Sequence, residues 1–177
     1  MCRTMVCVWE ERTDEPRPLH DRTREYYLSE GYDSPYRWAH FDDVPCTPLA
    51  RPLAECVVGL ITTSEMVIRG REAELAHVEN DPTRPGYSLP MGTPTKELYS
   101  RKASYDKHAT TLDDVDAYLP LTHLRRLVEE GRIAELAPRF QVVPSQYSQR
   151  RTLTVDAPRI LAELHEDRVD VAVLTAV

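Results

Sequence analysis

No apolar run in this 177-residue chain approaches the roughly 18 to 20 residues needed to cross a bilayer, which excludes a transmembrane helix from the sequence reading. The first residues, MCRTMVCVWEERTDE, turn acidic too early for a secretory signal, so a cytoplasmic protein is expected. Positive charge is also scarce. Lys and Arg total 22 against 29 Asp and Glu, a net charge of −7 with no basic block, which argues against nucleic acid as a partner. The four cysteines, Cys2, Cys7, Cys46 and Cys56, form no C-x-x-C pair, so free thiols are expected and neither a disulfide framework nor a bound metal. There is no internal repeat and no low-complexity tract.

What is present begins at Cys56. Residues 1–50 are rich in Pro, Arg, Asp and Tyr and read as an extended N-terminal arm, with one short helix at His20–Glu30. The arm's aromatics, Tyr26, Tyr27, Tyr32, Tyr36, Trp38 and Phe41, either anchor a partner subunit or pack on this chain's own core. Residues 51–177 read as an α/β domain, completed by a partner or a C-terminal continuation. CVVGLITT (Cys56–Thr63) is a β-branched run that ends in hydroxyls, the pattern of a buried strand leading to a ligand-facing loop. Thr62, Thr63 and Ser64 there can either donate to a carboxylate or cap a following helix.

The stretch from Arg69 to Pro94 is broken by Pro and Gly and holds at most a short edge strand, SLP. It is followed by the densest titratable set in the chain: Lys102, Tyr105, Asp106, Lys107 and His108. A cationic Lys beside His and a carboxylate shifts pKa values and positions a proton donor, whereas the bland reading is a solvated charged loop. Beyond it, LPLTHLRRLVEEGRI predicts a helix with Thr122 as N-cap and Gly131 at the left-handed C-terminal position. FQVV (Phe140–Val143) predicts a strand. VDAPRILAELHEDRV predicts a helix capped by Asp156 with Pro158 in its first turn. The run Val169–Val177 predicts a strand covered on both faces. Strand, helix, strand, helix, strand with short connections implies βαβ units and a mostly parallel, Rossmann-like sheet with flanking helices.

Three stretches together resemble one family. TPLARPLAECVVGLITT, SYDKHATTLDDVDAYLPLTHLRRLVEEGRIAELAPRF and VDVAVLTAV resemble, in order and spacing across Thr47–Val177, the glycine, sarcosine, betaine and D-proline reductase selenoprotein B family. The resemblance implies an oxidoreductase subunit that reductively cleaves a carbon–nitrogen bond alpha to a carboxylate, in a small amino acid or related amine. It implies a selenolate or thiolate nucleophile after the last strand, reset by thiols from another protein, with no cofactor bound within this chain. On this reading Tyr105, Asp106 and His108 handle substrate or protons, Lys107 holds a carboxylate, and Thr62, Thr63, Ser64 and Asp116 line the substrate site.

None of the four cysteines lies at the expected strand end. The redox Sec or Cys is therefore expected from a complementary subunit or from a continuation past an in-frame UGA codon. The alternative is a non-catalytic ligand-binding or structural subunit of a hetero-oligomer. The chain also departs from the family pattern. Ser64-Glu65-Met66 replaces glycines, Asp116 stands where Asn is common, Lys107 and His108 occupy a loop where His or Ser is usual, and Pro144-Ser145-Gln146 replaces a glycine-containing turn.

Overall fold

A computed structural model describes residues 19–33, 42–43, 47–79, 83, 85–102, 107–108, 111–144 and 148–176. The chain divides into two units, Met1–Pro45 and Cys46–Val177. The first holds helix α1, Leu19–Ser29, which matches the short helix expected at His20–Glu30. Tyr27 meets Tyr26 and Tyr32 edge to face, with ring centroids 5.7 and 5.4 Å apart, and all three rings are largely exposed. Tyr36, Trp38 and Phe41 lie outside the described residues, as do Cys2, Cys7 and Cys46.

The second unit is organised around strand β1, Val57–Thr62. Along one edge of β1 runs an interrupted parallel partner: β5, Glu135–Leu136, beside Val57 and Val58, then β6, Arg139–Val142, beside Ile61 and Thr62. Along the other edge lies β7, Val171–Thr175, parallel and in register from Val58↔Val171 to Thr62↔Thr175. An antiparallel strand, β3 at Tyr87–Pro90, pairs with β6 on the far side, where a proline-bearing strand is tolerated. A separate antiparallel pair joins β2, Met66–Ile68, to β4, Leu98–Ser100. The sequence pattern did not reveal β2, because three apolar residues next to a turn carry no periodicity. A short helix α2, Ala76–Glu79, follows a 3₁₀ turn at Glu72–Leu75.

Helices cover both faces of the sheet. Val58 and Leu60 point to one face and pack with Phe140, Val142 and the buried Leu121 and Leu124 of α3, Leu121–Glu129. Gly59 points to the other, under α5, Ala157–Glu166. A Cβ at Gly59 would stand 2.9 Å from Leu164 Cδ2 and 3.1 Å from Val169 Cγ1. The α3 apolar stripe and its end match the sequence. Gly131 has φ +68°, and the N–H groups of Gly131 and Arg132 donate to the carbonyls of Val128 and Leu127, closing the helix in the Schellman manner. Among the described residues, no helix is long and apolar enough to cross a membrane.

Three local expectations fail for identifiable reasons. Thr122 is not the N-cap of α3; Pro120 holds that position, and the Thr122 N–H is taken instead by the Asp116 carboxylate at 2.9 Å. Asp156 does not cap the following helix. That helix starts earlier, at α4, Gln149–Arg151, where the Ser148 hydroxyl accepts from the Arg151 N–H, and continues through a π turn at Thr152–Asp156. Pro158 thus lies past the first turn, and the widened turn just before it provides a place for a ring that the regular ladder would reject. Strand β7 is not covered on both faces. Its residues alternate half-buried and exposed, with Leu174 68 % exposed, so one of its faces lies open, and among the described residues it pairs along one edge only, with β1.

Gly59 is a steric requirement of the α5 face. Gly59→Val should cost about 1–3 kcal/mol through overpacking against Leu164 and Val169, read as a lower midpoint in urea with an unchanged slope.

Candidate functional site at the strand ends

The chain leaves β1, passes through α3 and returns on one side as β5 and β6; it then passes through α5 and returns on the other side as β7. The connection from β1 thus runs to one side and the connection from β6 runs back across β1 to the other, and in open parallel sheets a crevice forms where strand order reverses. The two carboxyl ends are tied together. Thr63 N–H donates to the Thr175 carbonyl at 3.2 Å, and Thr175 Oγ1 donates to the Ile61 carbonyl at 3.3 Å. On the opposite edge Val143 N–H donates to the Thr62 carbonyl at 2.9 Å.

Two of the three expected hydroxyls are turned inward. Thr62 and Ser64 are fully buried, their oxygens 2.7 Å apart, and Thr62 Oγ1 also accepts from the Ser64 N–H at 3.3 Å. They brace the turn between β1 and β2, while Thr63 between them is only half-buried. Glu65 completes that turn with φ +50°, a left-handed conformation that glycine adopts without strain. The backbone thus keeps a glycine-like shape where a glutamate replaces the expected glycine. The turn is locked from outside by β4: Ser100 Oγ donates to the Ser64 carbonyl, and Arg101 N–H donates to the Glu65 carbonyl at 3.2 Å.

The titratable set divides. Tyr105 and Asp106 lie outside the described residues. Lys107 and His108 occupy an exposed turn. Asp116 is half-buried, and its carboxylate serves the amino end of α3. Lys102 is only 5 % exposed and lies two residues beyond the end of β4, its N–H donating to Ser100 Oγ at 3.1 Å. The sequence placed Lys102 in the crowded set but gave no sign of its burial. Nearby, the Tyr118 phenol donates to the Leu112 carbonyl at 3.0 Å, and burial raises its pKa above the ordinary tyrosine value.

Charge is concentrated elsewhere. At the start of β6, Arg139 meets Asp167 at 2.8 Å, Glu166 and Glu163; the hydrogen bonds it donates to Asp167 and Glu166, with the charges of Asp167 and Glu163, raise its pKa further. Arg159 pairs with Glu163 at 2.6 Å, which also accepts from Gln141 at 2.9 Å. A cavity of about 460 Å³ lies against this network and β3, lined in part by Arg71, His77, Ser88, Arg159 and Glu163. Its acid groups are engaged, because Glu74 accepts two bonds from Arg71 and Glu163 is held by Arg159 and Gln141. Among the described residues, no group of His, Cys, Asp and Glu could hold a metal ion. Cys56 is buried and directed at the carbonyls of Arg51 and Pro52, as expected for an inert thiol.

These features define an α/β protein with a mostly parallel sheet and helices packed against it. The chain belongs to the glycine/sarcosine/betaine reductase selenoprotein B family, GRDB, whose model matches residues 26–177. The match reaches back beyond Thr47 into α1, further than the sequence motifs had suggested. No curated protein and no solved structure matches the chain.

The amino ends of β1 and β7 are joined by Asp170, whose carboxylate accepts from Val57 N–H at 2.8 Å and from Arg51 at 2.5 Å. The Val57 N–H first, then Arg51, hold its pKa below the usual 3.8. A depressed folded pKa gives stability that is present above the unfolded value and lost as pH falls through the folded one. Asp170→Asn should therefore lower the urea midpoint at pH 7 and show a smaller further loss than wild type when titrated from pH 5 downward. An identical pH profile in the two proteins would remove Asp170 from this role.

Proposed function

We propose that this chain is a component of a reductase that cleaves the carbon–nitrogen bond alpha to the carboxylate of a small amino acid or related amine. Family membership over residues 26–177 supports the class. The single observation that supports the site is the parallel pairing of β7 with β1 on the edge opposite β6, which brings the carboxyl ends of β1 and β7 side by side and favours a doubly wound, Rossmann-like reading.

The redox residue is supplied by a partner chain or by a continuation beyond β7. Cys56 cannot serve, because it precedes β1 and a strand of this length places it about 20 Å from the carboxyl end. A selenolate or thiolate delivered there would form a bond to carbon as the carbon–nitrogen bond breaks, and a thiol protein would provide the reducing electrons. This chain's own groups bind and protonate. Tyr105, Asp106 and His108 deliver the proton that the departing amine requires, a task for which imidazole is well matched near neutrality. Thr63 and Asp116 border the site, Thr62 and Ser64 hold its turn rigid, and Lys107 on its exposed turn attracts the carboxylate. A cytoplasmic setting, with its reducing thiol pool, suits that chemistry.

Purification from the native host, with intact mass and selenium analysis, tests this reading. A stoichiometric second chain bearing Sec or Cys, or a longer selenium-containing chain, is expected, together with thiol-dependent amine release. A chain with neither would instead be a binding subunit. In the active assembly His108→Ala should lower kcat about 10²-fold; an unchanged kcat would exclude His108 as the proton donor.

A further inference from the structure

Among the described residues, the buried side-chain nitrogens and oxygens that lack any hydrogen-bond partner are Arg151 Nε, Arg159 Nε and Arg159 Nη2. Arg151 still has Asp156 Oδ2 3.5 Å from that nitrogen. Arg159 is different, because both of its unmet donors lie on one edge of the guanidinium, where their N–H bonds run side by side. Its remaining nitrogen, Nη1, is occupied: it donates to Glu163 Oε1 at 2.6 Å and to Gln141 Oε1 at 3.2 Å. A buried donor with no acceptor has given up water for nothing, a state that native proteins rarely leave uncompensated.

Two other arginines show what this edge takes when it is filled. Arg71 donates from Nε and Nη2 to the two oxygens of Glu74 at 2.6 and 2.7 Å. Arg139 donates from the same pair of nitrogens to the two oxygens of Asp167 at 2.8 and 3.1 Å. In both, the fork closes on one carboxylate; in Arg159 it closes on none.

The cavity of about 460 Å³ beside β3 supplies room for an acceptor, since Arg159 forms part of its wall together with Arg71, His77, Gly86 and Ser88. Gly86 lies close against the open edge: a Cβ there would stand 2.5 Å from Arg159 Nη2. The acids of the cavity, Glu74 and Glu163, are both held by arginines, so neither is left to receive a cation. The unmet groups are therefore donors, and they call for an acceptor.

We infer that this cavity binds a small oxyanion, a carboxylate or a phosphate, on the Nε and Nη2 edge of Arg159. The Arg159 side chain as a whole is 27 % exposed, which leaves its head room to turn that edge from Gly86 toward the cavity. The inference does not rest on the reductase reading. No residue that walls the cavity belongs to β1, β7 or the turn after β1, so this is a second site, apart from the proposed reaction site.

Titration calorimetry on the full chain tests it, with sodium acetate, sodium phosphate and methylammonium chloride as probes in a sodium chloride background of constant ionic strength. At least one of the two oxyanions should give saturable one-site heat, and the tighter of them names the ligand class; methylammonium should give none. Arg159→Lys keeps a charge beside Glu163 but removes the fork, and should weaken that oxyanion about 10-fold or more. Arg159→Met combined with Glu163→Gln removes both charges together, so neither is left unpaired, and should abolish the heat while thermal unfolding stays cooperative. If the double variant does not fold, Arg159→Lys alone decides. Absence of saturable heat from both oxyanions, equal binding of methylammonium, or unchanged affinity in Arg159→Lys would overturn the proposal. These readouts involve no selenium, thiol or partner chain, so failure here is distinguishable from failure of the reductase reading.

Discussion

Strand β1 has hydrogen-bonded neighbours along both of its edges, and the arrangement of the second unit follows from that constraint. A six-residue strand with partners on two sides and helices on two faces has no room for polar side chains except at its ends. Its sequence, VVGLIT, obeys this: four aliphatic residues, a glycine where α5 presses closest, and a threonine at the carboxyl end. The turn that follows then begins on buried hydroxyls, because the core's apolar interior extends almost to the point where the strand stops.

The two ends of the sheet are held by different chemistry. At the amino ends of β1, β6 and β7, carboxylates and guanidinium groups interlock, Asp170 with Arg51 and Val57, and Arg139 with Asp167, Glu166 and Glu163. At the carboxyl ends of β1 and β7 the ties are neutral: backbone to backbone, hydroxyl to carbonyl, hydroxyl to hydroxyl. Fixed ion pairs suit a fastening, since removing either partner leaves an uncompensated charge. Neutral ties of this kind hold the strand ends in register without fixing a charge there.

Strands β1, β6 and β7 and helix α3 were legible in the sequence because each carries its own signal: β-branched or apolar runs for the strands, a 3.6-residue apolar stripe and a terminal glycine for α3. What was not legible depended on partners distant in sequence. Asp116 replaces Thr122 as the group that caps α3 because the chain turns back across six residues, a geometry no local pattern encodes. Asp156 and Pro158 looked like a helix start, and only the π turn shows why the helix begins at Gln149 instead. Of the candidate site, the hydroxyl run at Thr62–Ser64 was correctly placed at a strand end, but its inward orientation was hidden. Lys102 looked like one more residue of a charged loop, because the burial that distinguishes it comes from the fold around it.

The pairing of β7 with β1 also bears on how the chain is made. Val57 and Asp170, which fasten the two strands, are 113 residues apart. At typical synthesis rates of about 5–20 residues per second, β1 waits roughly 6–20 seconds for β7 to emerge. Throughout that interval one edge of the most central strand is an open template. The order of synthesis thus makes β1 the point at which pairing with a wrong strand, from this chain or from a neighbouring nascent one, competes with folding.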